Sequence, residues 1–206
     1  MHLLLTDLLI CPRCATEHGL VLLAERLSER RVLEGWLGCP VCRERYPVRR
    51  GFADLRVEAH GLPEKPAPAP GTPDVAFRLA ALLGIHAGPA FALMAGRASF
   101  LAPRIAALVE QLEVVAAAAE LAGWDEQPGV SRIAAGDRLP FFSRRLHAVA
   151  LADAAATSLL EEGARVLAPP GRLVLDGAPA DAELRLARAG LRPILRQDEL
   201  VVAERA

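Results

Sequence analysis

The feature that most constrains this chain is the spacing of its cysteines. They occur as two pairs, CPRC at 11–14 and CPVC at 39–42, with 24 residues between the pairs. A Cys-x-x-Cys turn presents two thiolates, and a hairpin that joins two such turns completes the tetrahedral sulfur shell of a zinc ion. Two disulfides or four buried free thiols are the alternatives, and the lack of a secretion signal disfavours the disulfides. We therefore predict zinc, with four ligands: Cys11, Cys14, Cys39 and Cys42.

The composition limits the partners of the chain. Of its 206 residues, 52% are hydrophobic, which favours a folded core over disorder. A net charge of −1 gives no overall field to attract nucleic acid or an acidic membrane. The apolar start, MHLLLTDLLI, is too short to span a bilayer and contains Asp7. We expect a soluble cytoplasmic protein with no membrane association.

One local basic patch follows the second cysteine pair. Such a run is more often a solvated face than a binding site, and RNA binding is the minority hypothesis. The patch consists of Arg43, Arg45, Arg49 and Arg50.

A proline-rich stretch divides the chain. Residues 61–73, GLPEKPAPAPGTP, contain five prolines and no periodic apolar pattern, which is typical of a stiff linker. We predict a zinc ribbon over 1–60, a linker over 61–73 and a larger domain over 74–206.

The larger domain alternates strand and helix signals. Short apolar runs predict buried strands at 90–95, 113–117, 130–135, 147–153 and 172–176. LRPILRQ and ELVVAER then follow each other too closely for a crossover helix, so they form an antiparallel pair. This alternation predicts an α/β fold with a mostly parallel sheet and an antiparallel last strand. Asp153 is predicted to cap the helix after the fourth of these strands.

Both halves resemble known families. LLICPRC, CPVC, RYPV and Gly51, within residues 3–56, resemble the zinc ribbon of the tRNA-methyltransferase activator family, which also occurs fused to bacterial methyltransferases. GDRLPF at 136–141 and LLEEGARVLAPPGRLVL at 159–175 resemble the class I S-adenosylmethionine-dependent methyltransferases. The resemblance implies a Rossmann-like methyltransferase fold preceded by a small zinc-ribbon domain.

The cofactor positions depart from that family. Its first strand ends in an acidic residue and a Gly-x-Gly-x-Gly loop, whose missing side chains let the backbone approach the cofactor. In AFALMAGRAS the acid is replaced by Ala92 and the outer glycines by Met94 and Ala98. Alanines at 116–119 stand where the family has the acid that holds the ribose. By resemblance, the cofactor-binding residues that remain are Gly96 and Asp137.

Three hypotheses follow from these observations. The first is a non-catalytic methyltransferase-like scaffold or accessory subunit, with no catalytic residue. Its zinc ribbon would bind a protein partner, such as a methyltransferase or a larger assembly. The several replacements in the cofactor loop favour it and make S-adenosylmethionine doubtful as a cofactor. The second is an active S-adenosylmethionine-dependent methyltransferase that relies on Gly96 and Asp137. The third is an RNA-binding module that uses the four arginines.

Overall fold

The chain folds around one continuous sheet. The computed structural model describes residues 1–14, 16–58, 61 and 71–205, and in these residues eleven strands follow the order β1-β2-β3-β4-β7-β6-β5-β8-β9-β11-β10. The strands are β1 (Val21–Ser28), β2 (Arg31–Gly38), β3 (Arg45–Arg49), β4 (Phe52–Asp54), β5 (Ala90–Ala95), β6 (Leu112–Ala117), β7 (Val130–Ala134), β8 (Leu146–Ala152), β9 (Leu167–Asp176), β10 (Arg192–Gln197) and β11 (Leu200–Arg205).

Short helices cover the two faces of the sheet. The α-helices are α1 (Pro73–Leu83), α2 (Ala102–Leu108), α3 (Ala154–Ser158), α4 (Leu160–Val166) and α5 (Ala182–Arg188), and the 3-10 helices are η1 (Leu3–Leu8), η2 (Gly96–Leu101) and η3 (Ala119–Gly123). Among the described residues, no helix combines the length and the apolar character needed to cross a bilayer.

The parallel part of the sheet confirms the predicted fold class. β7, β6, β5, β8 and β9 pair in parallel, and β11 then runs antiparallel to both β9 and β10. Strands that are buried on both faces are apolar throughout and do not alternate apolar and polar residues. The continuous apolar run at 90–95 therefore predicted β5.

Two hairpins build the N-terminal part of the sheet. β1 pairs with β2 and β3 pairs with β4, each across a two-residue turn. Glu29 and Arg30 in the first turn, and Arg50 and Gly51 in the second, all have positive φ. Turns with positive φ at both central residues match the twist of the strands that they join, so they keep each hairpin in register.

The hairpins and the parallel strands share the sheet through β4. Phe52 pairs with Arg132 and Ala53 with Ile133 in parallel register, and the Leu55 N–H donates to the Ala134 carbonyl at 2.9 Å. The division into 1–60, 61–73 and 74–206 stays a prediction, because residues 59–60 and 62–70 lie outside the described residues.

The N-terminal segment covers a face of the sheet that a crossover helix between β7 and β8 would otherwise cover. Parallel strands are usually joined by a crossover helix, but residues 135–145 between β7 and β8 contain none. The fully buried Leu5 and Leu9 pack in the same core cluster as Val115 of β6 and Ile133 of β7. The segment that contains η1 therefore completes the core of the C-terminal part of the chain.

Replacing Leu5 tests this packing. Leu5→Ala should lower the free energy of unfolding by about 2–5 kcal/mol, because it opens a cavity in a closed core. The neighbouring Leu4 is 43% exposed, so Leu4→Ala should change the free energy of unfolding by less than about 0.5 kcal/mol. Urea denaturation of both variants, followed by circular dichroism, provides the measurement. Equal effects of the two substitutions would contradict the assigned role of η1.

Candidate functional site

The four predicted ligand cysteines converge on one point. The Cys11 and Cys42 Sγ atoms are 3.6 Å apart, those of Cys14 and Cys39 are 3.7 Å apart, and all four lie within 4.8 Å of one another. Sulfurs about 2.3 Å from a tetrahedral zinc ion are separated by roughly 3.8 Å, whereas a disulfide needs about 2.0 Å. The prediction of a four-cysteine metal centre is confirmed, and its geometry fits zinc.

Backbone hydrogen bonds shape the second cysteine turn. The Cys39 N–H donates to the Glu44 carbonyl at 2.9 Å, and the Arg43 N–H donates to the Cys39 carbonyl at 3.0 Å. Burial raises the pKa of the Cys39 thiol, but hydrogen bonds from the backbone of Cys42 and Val41 outweigh it and lower that pKa to about 7. These backbone hydrogen bonds favour the thiolate form of Cys39, which is the form that binds a metal.

Two further residues support the first cysteine turn. The buried Tyr46 hydroxyl lies 3.5 Å from Cys11 Sγ. Arg138, which follows β7, donates from Nη1 to the Cys14 carbonyl at 2.6 Å. The spacing of the cysteines predicted the ligands but neither of these residues. Arg138 reaches the site from a distant part of the chain, and Tyr46, four residues after Cys42, contacts Cys11 only because the two turns meet.

A buried ionic cluster lies where β4 meets β7. Arg132 is 1% exposed, and its Nη2 donates to Glu126 at 2.9 Å. Arg31 of β2 donates to Glu126 at 2.7 Å and to Glu113 of β6 at 2.8 Å. Arg132 also donates to the Arg50 carbonyl. The cluster thus joins both parts of the chain through charges that are largely withdrawn from water: the side chains of Arg31, Glu113 and Glu126 are 12%, 11% and 24% exposed.

Glu126 is the centre of this cluster. We call it the junction cluster, and it consists of Arg31, Glu113, Glu126 and Arg132. Burial tends to raise the pKa of the Glu126 carboxyl, but the amino group of Met1 and Arg31 outweigh it, so the pKa lies below its usual value. A Cβ at Gly51, whose φ is +75°, would lie 2.0 Å from Glu126 Oε2, so a larger residue there would displace this carboxylate from its partners.

The carboxyl ends of the strands hold the second candidate site. The sheet extends in opposite directions from β5 and β8, and open α/β sheets bind ligands at such a switch point. Here Arg97, just after β5, contacts Asp153 at 3.1 Å and Asp176 at 3.0 Å. Asp153 follows β8 and Asp176 ends β9, so one guanidinium bridges three strand ends. The predicted capping role of Asp153 is wrong, since its side chain makes no cap hydrogen bond and instead accepts the Arg97 N–H at 3.2 Å.

The positions that match the family's cofactor loop are buried by packing. Ala92 and Met94 are fully buried within β5, and η2 begins at the next residue after that strand. Gly96 has φ of +65°, and a Cβ there would lie 2.1 Å from the Ala152 carbonyl, so close packing against β8 accounts for this glycine. Asp137 is exposed and follows β7, two strands away from β5. These positions do not test whether Gly96 and Asp137 bind a cofactor, so both assignments stay predictions.

A cavity of about 700 Å³ adjoins the bridge made by Arg97. Most of its lining is apolar and comes from α1, η2 and the strands β8, β9 and β11, with Arg97 and Asp176 among the lining residues. Its size is in the range of sites for small molecules.

The predicted basic patch is exposed. Arg43, Arg45, Arg49 and Arg50 all lie on the surface of the N-terminal hairpins. RNA binding through them stays a prediction.

Removing the Tyr46 hydroxyl tests its support of the metal centre. Tyr46→Phe should keep one zinc ion per chain but weaken zinc binding by about 10-fold, because groups that hydrogen-bond to ligands typically change metal affinity by 10- to 100-fold. Cys39→Ser should remove stoichiometric zinc. Competition with a chromophoric chelator measures both. An unchanged affinity of Tyr46→Phe would show that the hydroxyl contributes nothing to the metal centre.

Comparisons with known proteins match the two parts separately. Residues 2–51 match the family described as Trm112p-like protein. A comparison of the sequence with curated proteins found no match.

Among solved structures, the fold is similar to a chain in the complex of the Haloferax volcanii Trm112 methyltransferase activator with a methyltransferase candidate. That match has a TM-score of 0.50 and 16% identity, and covers 63% of this chain and 88% of that one. It is also similar to a geranyl diphosphate C-methyltransferase from Streptomyces coelicolor A3(2), with a TM-score of 0.51, 15% identity, and coverage of 65% and 76%. The chain therefore combines a Trm112p-like, metal-binding N-terminal segment with a Rossmann-like methyltransferase fold.

Proposed function

We propose that this protein is a non-catalytic methyltransferase-like scaffold stabilised by its own zinc ribbon. The observation that carries the proposal is the closed connection after β5. A nucleotide-binding loop needs an accessible backbone at this point, because the ligand packs directly against the backbone of the loop. In this chain η2 starts at Gly96, and its residues Ala98 and Ser99 are buried.

Two further contacts keep this connection closed. The Ser99 hydroxyl donates to the Gly96 carbonyl at 2.7 Å, which occupies a backbone acceptor of the connection. Arg97 lies at the switch point, where its ion pairs with Asp153 and Asp176 hold its side chain across the strand ends. The ion pairs of Arg97 are exposed and therefore contribute little, about 0–1 kcal/mol each. The buried packing of η2, rather than these ion pairs, is the main obstacle to a ligand.

A second candidate function is S-adenosylmethionine-dependent methyl transfer. The cavity of about 700 Å³ beside Arg97 favours it, because its size would suit a small methyl acceptor. Under this alternative, Gly96 and Asp137 would contact the cofactor.

Calorimetric titration separates the two functions. We expect no heat when the zinc-loaded full chain is titrated with S-adenosylmethionine or S-adenosylhomocysteine at millimolar concentration, and no shift of its melting temperature. A cooperative melting transition in the same sample establishes that the protein is folded.

Micromolar binding would overturn the proposal if Asp137→Ala weakened it. Asp7→Ala, which removes an exposed carboxylate from η1, is the matched control. Binding that both variants weaken equally would instead indicate a nonspecific loss of charge.

A further inference from the structure

We infer that the methyltransferase-like partner of this zinc ribbon is the C-terminal part of the same chain. The β4 edge of the ribbon is already paired with β7, so the protein does not recruit a free methyltransferase through that edge. This inference concerns the partner in the proposed function, and it holds whether or not S-adenosylmethionine binds.

The first argument is the backbone pairing of β4. A strand has two edges, and those of β4 are taken by β3 and β7. The pairing with β7 is parallel and runs from Phe52 to Asp54. A free protein that added a strand to β4 on this side would first have to displace β7, because each edge accommodates one neighbour.

The second argument is a second backbone contact beside the metal centre. The Ile10 N–H donates to the Pro140 carbonyl at 3.0 Å, and the Phe142 N–H donates to the Leu8 carbonyl at 3.0 Å. Together with the bond from Arg138 to the Cys14 carbonyl, these contacts fix the loop after β7 along the first cysteine turn. The loop that resembles part of a methyltransferase cofactor site is thus used here to hold the ribbon.

The third argument concerns the groups that would be exposed if the ribbon separated from the C-terminal part of the chain. Leu5 and Leu9 would leave an apolar face of the sheet open to water. Glu126 would lose Arg31 and the Met1 amino group, and Glu113 would lose Arg31. Arg132 would lose the Arg50 carbonyl. Removing one partner of a buried charge pair is strongly unfavourable, because the other charge stays desolvated. The contact is therefore that of one folded unit and not of two domains joined by a linker.

Cleavage of the linker tests the inference on the full chain. A sequence-specific protease site replaces part of 62–70, and the folded, zinc-loaded protein is cut and passed through a size-exclusion column at micromolar concentration. We expect both fragments to elute together at the mass of the intact chain. Separate elution of the fragments would overturn the inference, because the ribbon edge would then be available to other proteins.

Exchange between copies sharpens the test. Cut protein labelled with ¹⁵N is mixed with unlabelled cut protein, and hybrid pairs are followed by native mass spectrometry. We expect hybrids to form over hours or longer. Complete scrambling within minutes would mean that the edge is offered to partners in solution, and would also overturn the inference.

A matched pair of glutamates assigns the effect to the junction cluster. Glu126→Gln should weaken the association of the cut fragments by about 30-fold or more, the usual cost of truncating a buried charge pair. Glu120 is exposed at the start of η3, and Glu120→Gln should leave the association unchanged. Equal association in both variants would show that the cluster does not hold the ribbon. Failure to bind S-adenosylmethionine has no bearing on any of these outcomes.

Discussion

The pairing of β4 with β7 is the constraint on which the rest of this structure depends. The paired segment of β4 spans only Phe52–Asp54, and each hydrogen bond in water contributes about 1 kcal/mol net. So short a ladder cannot hold two parts of a chain together by itself. The apolar segment around Leu5 supplies the missing burial. The junction cluster makes any other register unfavourable, because it would separate Arg31 from Glu113 and Glu126.

Metal binding is coupled to this contact through the first cysteine turn. Cys14 ligates through its sulfur while its carbonyl accepts from Arg138, and Cys11 lies one residue from Ile10, which bonds to Pro140. Structural zinc contributes folding free energy where its ligands have no other reason to meet. A metal ion bound by the four cysteines would therefore stabilise the contact with the loop after β7 as well as the ribbon.

Local pattern predicted the strands and the metal ligands, but it predicted neither the shared sheet nor the ionic cluster. The apolar run at 90–95 matched β5 because burial on both faces leaves a continuous signal. Arg132 bonds to residues 50 and 126, and Arg31 bonds to residues 113 and 126. No local period relates such residues. One clue was present. VSRIAA places an arginine inside a strand that is otherwise buried, and a buried charge requires partners. The burial of the η1 leucines against β6 and β7 was not predictable either, because it depends on the lack of a crossover helix in residues 135–145.

The changes at the switch point form one consistent set. Ala92 is fully buried, and a carboxylate there would need a partner that the apolar neighbours of β5 do not provide. Met94 fills core volume that a glycine would leave empty, and this continues the core to the end of the strand. Once η2 packs against β8, Arg97 is left at the surface, where the carboxylates of Asp153 and Asp176 neutralise it. Binding sites are usually kept at a cost in stability, so converting one into core is expected where ligand binding no longer constrains the chain.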